Sequence, residues 1–310
     1  MERFAWKSVV PVALYVLGPI SFALLSASPA TAQEGFGEWS APVSLGPAIN
    51  SVDNDEGPAI SKDGLSLYFT SNRSGNQDLW VARREHEDDP WGEPVNLGAP
   101  VNTLSTEQAP AFSRDGHLMF FVSNRSGSVG GLDIWVSFRP DKHDDFAWEA
   151  PVNLGASINS ASNDAGPGTL RVGEEEFLFF TSNRPGGPGG ADIFVSVEQE
   201  DGSFGPPERI AELNSTANDA RAALRRDGRE VFFFSNRAVS VGVTDLWTST
   251  REDRRDPWSP PVNLGDTVNS TSDEMQPALS RDGRTLFFAS NRPDGVGLLD
   301  LYMITRTKDE

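Results

Sequence analysis

One pattern is written five times in this chain. It reads Ser-Asn-Arg, a Gly-rich gap, then Asp, an aliphatic and an aromatic residue. The copies are SNRSGNQDLW from Ser71, SNRSGSVGGLDIW from Ser123, SNRPGGPGGADIF from Ser182, SNRAVSVGVTDLW from Ser235 and SNRPDGVGLLDLY from Ser290. The Asn falls at positions 72, 124, 183, 236 and 291, so the intervals are 52, 59, 53 and 55 residues. A period of that size points to a propeller or a solenoid. A catalytic motif needs writing once; five copies point to scaffolding.

Each unit divides into four short pieces. The first is WSAPVSLG at Trp39, WGEPVNLG at Trp91, WEAPVNLG at Trp148, FGPPERIA at Phe204 and WSPPVNLG at Trp258. Its Pro suits an edge strand, which can spare a backbone donor. The second is short, with a small residue in second place: PAIS at Pro58, PAFS at Pro110, PGTL at Pro167, AALR at Ala222 and PALS at Pro277. Asp-Gly follows in four units, at Asp63, Asp115, Asp227 and Asp282, and marks a hairpin. The remaining unit reads RVGEEEF there, an altered turn. The third piece (LYFTSN, MFFVSN, LFFTSN, VFFFSN, LFFASN) is apolar without alternation, so both faces must be covered. The fourth starts at Asp78, Asp133, Asp192, Asp245 and Asp300.

These pieces predict an all-β chain of four-stranded antiparallel sheets stacked radially as a five-bladed β-propeller. The chain starts with an edge piece at Trp39 and has no such piece after Tyr302, so the N-terminal strand is expected to complete the last blade. The expected domain is 33–310, in units of about 39–90, 91–147, 148–203, 204–257 and 258–310.

Residues 1–32 read as an export signal: Arg3 and Lys7, an apolar run, then Ala30 and Ala32 before a cut after Ala32. An uncleaved membrane anchor is the alternative. The expected location is periplasmic or secreted, without membrane insertion after cleavage, and the expected state is a monomer. A formal charge of −19 disfavours nucleic acid. With no Cys and three His outside any metal-ligand spacing, thiolate chemistry is excluded and His-ligated zinc disfavoured.

Repeats of Pro, Ser-x-Asp-Gly, an apolar pair, Ser-Asn-Arg, a Gly-rich loop and Asp-aliphatic-aromatic resemble the WD-like propeller repeats of the TolB-type family. The resemblance spans the chain after residue 32. It implies an exported bacterial propeller of the kind that serves as a binding or scaffold module of the cell envelope.

Two sets of polar residues recur. The first comprises Arg73 and Asp78, Arg125 and Asp133, Arg184 and Asp192, Arg237 and Asp245, and Arg292 and Asp300. Each Arg and its Asp are expected to clamp the Gly-rich loop between them; anion capture by the Arg is the alternative. The second is an acid just before each inner strand: Asp55, Glu107, Asp164, Asp219 and Glu274, with Arg221 as a lone cation among them. These are the candidate ligand-binding residues, expected to ring one mouth of the channel. Like charges so placed need an offset. Local backbone donors are one, bulk water in a wide mouth another and a bound cation the third, and carboxylate oxygens suit calcium or magnesium. No motif otherwise calls for a cofactor. Arg221 reads either as drift paired with Asp219 or Glu274, or as a ligand-facing group. No nucleophile–base pair stands out, so no catalytic residue is assigned. The function expected first is an exported binding or scaffold propeller, with an envelope protein or glycan as partner. The alternative is a five-bladed glycoside hydrolase-like enzyme using carboxylates at the channel mouth.

Overall fold

The computed structural model describes residues 35–308, so the leader expected at 1–32 lies outside the described residues. The N-terminal strand β1 is Val43–Ser44. The first blade is β2 (Asp55–Ile60), β3 (Ser66–Ser71), β4 (Asp78–Arg83) and β5 (Val95–Asn96). The second is β6 (Glu107–Phe112), β7 (Leu118–Ser123), β8 (Asp133–Phe138) and β9 (Val152–Asn153). The third is β10 (Asp164–Val172), β11 (Glu175–Ser182), β12 (Asp192–Val197) and β13 (Glu208–Arg209). The fourth is β14 (Asp219–Leu224), β15 (Glu230–Ser235), β16 (Asp245–Thr250) and β17 (Val262–Asn263). The fifth is β18 (Glu274–Leu279), β19 (Thr285–Ser290) and β20 (Asp300–Thr305), completed by β1. The chain is thus an all-β, five-bladed propeller, and among the described residues there is no helix.

Every blade is finished by an outer strand from the next repeat of the sequence, and the last by the N-terminus. Val43 pairs with Met303 and Ser44 with Tyr302, while the Leu45 N–H donates to the Leu301 carbonyl at 2.9 Å. The third piece of each repeat is the buried second strand. Leu67, Tyr68 and Phe69 of β3 are each 0% exposed, so both faces are covered, as the lack of alternation required. Neighbouring blades pack through these faces: Tyr68, Leu79 and Val81 share one core with Met119, Phe121 and Trp135.

In each inner strand the register shifts once, as between Glu56 and Ala59. The extra residue has positive φ in all five blades: Gly57 (60°), Ala109 (54°), Gly166 (54°), Arg221 (52°) and Gln276 (56°). Glycine takes this conformation freely; Arg and Gln there are strained. The turn without Asp-Gly is a longer hairpin, with Val172 paired to Glu175 and Gly173 at φ 64°.

Glu176 lies in that hairpin, 6% exposed, with no hydrogen bond to Oε1. Burial pushes its carboxyl up to about 7, against the pull of Arg171 and with help from Glu198 and Asp115. The folded chain therefore holds a proton that the unfolded chain, near 4.5, has lost. Stability should fall as pH rises from about 4.5 to about 7. Glu176→Gln removes the cost of a buried charge. Thermal melting should show it more stable than wild type at pH 8, by on the order of 2–3 kcal/mol, and little changed at pH 4.5.

Candidate functional site

Antiparallel pairing fixes the environment of the five acids. Each is the first residue of its inner strand and lies opposite the Ser of Ser-Asn-Arg: Asp55 pairs with Ser71, Glu107 with Ser123, Asp164 with Ser182, Asp219 with Ser235 and Glu274 with Ser290. The Arg two residues beyond that Ser swings onto the acid. Arg73 Nη2 lies 2.6 Å from Asp55 Oδ1, Arg125 Nη2 3.1 Å from Glu107 Oε1, and Arg184 Nη2 2.6 Å from Asp164 Oδ1. Arg237 Nη2 is 2.5 Å from Asp219 and Arg292 Nη2 is 2.9 Å from Glu274. All five acids are 0% exposed.

Local donors complete the shell. The Ser160 N–H and hydroxyl donate to Asp164 Oδ2 at 2.5 and 2.8 Å, and Ser51 and Ser215 do the same for Asp55 and Asp219. The Thr103 and Ser270 N–H groups each donate to Glu107 and Glu274 at 2.7 Å. The Asn of the triplet accepts the N–H just before the acid, as Asn72 Oδ1 does from Asn54 at 2.8 Å. The Arg also lies on aromatics: Arg125 sits 5.0 Å from the Phe121 ring centre and 5.3 Å from that of Trp135. The recurrent triplet therefore ties each inner-strand start to its own blade.

The expected clamp partners are corrected by this geometry. In no repeat does the Arg of Ser-Asn-Arg pair with the Asp that follows it, because that Arg is taken by the inner-strand acid. The Asp binds its loop instead. Asp133 accepts the Val129 and Gly130 N–H groups at 2.5 and 3.0 Å and the Asn153 amide at 2.8 Å. Asp245 and Asp300 hold their loops likewise, through Val241 and Gly242, and through Val296 and Gly297. Asp78 takes the Ser74 hydroxyl and the Asn96 amide, both within 2.9 Å, and Asp192 faces Arg209 at 3.3 Å. The loops are Gly-rich because they lie against the next blade: a Cβ on Gly130 or Gly242 would overlap the Ser162 or Ser272 carbonyl oxygen.

The five acids also do not form an open ring. The offset to their charge is the Arg, which removes the motive for a cation among them. A separate trio, Glu85, His86 and Asp89, presents oxygens and a ring nitrogen within 4.8 Å of one another on the surface. It is a potential metal ligand set on an exposed turn.

Arg221 pairs with neither Asp219 nor Glu274. It is 4% exposed and reaches across the channel, with Nη2 donating to the Pro58 carbonyl at 2.8 Å and the Pro110 carbonyl at 3.2 Å. Its Nη1 has no hydrogen-bond partner among the described residues. Burial pushes its guanidinium down to about 10, and nearby Glu56 counters this. Glu56, next to Asp55, has no Arg within 4.0 Å among the described residues, though Arg221 is near enough to act on its charge. Gln77 Nε2 and Gln276 Nε2 each donate to it at 2.9 Å. Burial raises its carboxyl pKa, while Gln276, Arg221 and Gln77 pull it back.

Beyond Arg221 the channel opens toward the other ends of the inner strands. A 140 Å³ segment between the Pro58, Pro110, Pro167 and Pro277 stretches leads to a cavity of about 310 Å³ at the hairpin tips. Ile60, Phe112, Thr169, Leu224 and Leu279 line both. Around the rim stand Lys62, Arg114, Arg171, Arg226 and Arg281. Sequence reasoning missed these five. Their signal was the cation one residue before the Asp of each Asp-Gly turn, in SKDG, SRDG, RRDG and SRDG, and in the corresponding place of LRVG.

No family model and no curated protein matches the sequence. Solved structures match in fold. The catalytic domain of a GH62 alpha-L-arabinofuranosidase from Coprinopsis cinerea is 16% identical with a TM-score of 0.59, covering 86% of this chain and 97% of that one. An alpha-L-arabinofuranosidase from Lactobacillus brevis is 11% identical with a TM-score of 0.58, covering 85% and 92%. TolB from Acinetobacter baumannii is 16% identical with a TM-score of 0.50, covering 88% and 64%. Glycoside hydrolases predominate among these neighbours, with TolB propellers beside them. At such identities the likeness is one of fold.

Proposed function

We propose that the protein is a carbohydrate-engaging propeller that meets glycan at the face where the inner strands begin. The likeness of fold to arabinofuranosidases supports the glycoside hydrolase-like alternative better than the scaffold role expected first, and carbohydrate engagement is the part of it carried forward. The observation that carries it is Glu56, a carboxyl with no Arg within ion-pair distance among the described residues, held between two amides that each donate to it at 2.9 Å. A carboxyl set between amides places acceptors and donors side by side, as sugar hydroxyls require. Bond cleavage needs a second carboxylate of opposite protonation. Asp55, its sequence neighbour, is consumed by Arg73. Recognition is therefore the core of the proposal, and hydrolysis its stronger form. The protein would act after export and cleavage behind Ala32, as a monomer in the periplasm or outside the cell.

A glycan array and a panel of aryl glycosides test it, with wild type beside Glu56→Gln. Glycan binding is expected, weakened about tenfold or more by the substitution, since a hydrogen bond to a charged or protonated acid is replaced. Any turnover should vanish in the variant. A folded protein that binds no glycan would remove the proposal and return the envelope scaffold, whose support is the TolB-like repeat.

A further inference from the structure

The chain carries 26 Lys and Arg against 45 Asp and Glu, yet cations crowd around one cavity. Two of the four lysines in the sequence, Lys62 and Lys142, line it with Arg114, Arg226 and Arg281. None of these five has a carboxylate within 4.0 Å among the described residues. They feel one another: Arg281 first, then burial, then Lys142, Arg226 and Arg114 hold the Lys62 ammonium below its ordinary value. The acids in the lining, Asp63 and Asp115, are turned into their own hairpins, where Oδ1 accepts the Ser61 and Ser113 hydroxyls at 2.6 and 2.7 Å. The repulsion among the cations is therefore left standing. Side chains that only decorate a surface would not be gathered this way in so acidic a chain.

Beneath the rim the walls turn apolar. Ile60, Phe112, Leu224 and Leu279 narrow toward the 140 Å³ segment, which Arg221 also lines. A charged mouth over an apolar throat matches a ligand with the same two parts.

We propose that this hairpin-end cavity binds a small amphiphilic organic anion. Its phosphate, sulfate or carboxylate group sits among Lys62, Arg114, Arg226 and Arg281, and its apolar part enters the throat against Phe112, Leu224 and Leu279. The site is at the opposite end of the channel from Glu56 and does not rest on the carbohydrate reading. Arginine forks suit planar or tetrahedral anions. The chain's net charge of −19 disfavours a long polyanion, so the ligand is small enough to stay within the rim.

Calorimetric titration with hexyl phosphate, inorganic phosphate and neutral hexyl glucoside tests this. Hexyl phosphate should bind at least tenfold more tightly than either of the others, and more weakly at about 0.2 M salt than at low salt. Arg226→Ala/Arg281→Ala should cost at least tenfold in hexyl phosphate affinity without lowering melting, because both side chains are exposed and their mutual repulsion is relieved. Leu279→Trp, which fills the throat, should reduce hexyl phosphate binding to the level of inorganic phosphate. The proposal is overturned if hexyl phosphate does not bind, if hexyl glucoside binds as well, or if the double variant binds like wild type.

Discussion

Replacing Arg125 by alanine should destabilise the protein by about 3–5 kcal/mol, the cost of stranding one member of a buried ion pair. Glu107 is 0% exposed and Arg125 is its cationic neighbour at 3.1 Å. Without the guanidinium the carboxylate keeps the Thr103 N–H and hydroxyl and the Ser123 hydroxyl, at 2.7–2.9 Å, but no positive charge. The same substitution frees the Val101 carbonyl, which Arg125 Nη2 also binds, and uncovers the Phe121 and Trp135 rings. Urea unfolding measures the loss. Adding Glu107→Gln should recover much of it, since a neutral amide needs no counter-charge. A loss below about 1 kcal/mol, or no recovery in the double variant, would refute the ion pair as the lock of the strand start.

Deleting residues 35–45 should lower the melting temperature by about 10 °C or more. The deletion removes β1 and leaves β20 as a bare edge in the fifth blade. It also removes Trp39, which stacks on Arg306 and meets the Phe232 ring edge-on at 5.6 Å, and Leu45 from the core between the first and fifth blades. Both are half-buried, so each is worth somewhat less than the ~1.5–3 kcal/mol of a fully buried side chain. The backbone bonds of the closing strand add to that, and in a domain of this size each kcal/mol shifts melting by about 2–4 °C. A permuted chain separates topology from mere loss of contacts. Phe36 already bridges Lys308 antiparallel, so the segment can be rejoined behind residue 308 through a short turn. The permuted protein should melt like wild type. Unchanged melting on simple deletion would refute closure by the N-terminus.

The sequence alone determined the blade count, the four strands of each blade and the identity of the closing strand. Those are local or repeat-level facts. Apolar runs such as LYFTSN, Asp-Gly turns and Pro-bearing edge pieces each act over a few residues, and their order along the chain is the order in the sheet. The pairing of charges was not legible from spacing within the motif. Arg125 stands eight residues before Asp133, yet it binds Glu107, eighteen residues back, because strand register places Glu107 beside Ser123. Register is a property of the folded hairpin. The channel itself was decided at a longer range still. Arg221 finds its acceptors at Pro58 and Pro110, in two other blades. The cations of five separate hairpin turns, four of them Asp-Gly, become neighbours only because the ring closes. Closure brings equivalent positions of every repeat to the same height around one narrow axis. A modest residue repeated once per blade thereby becomes a concentrated charge.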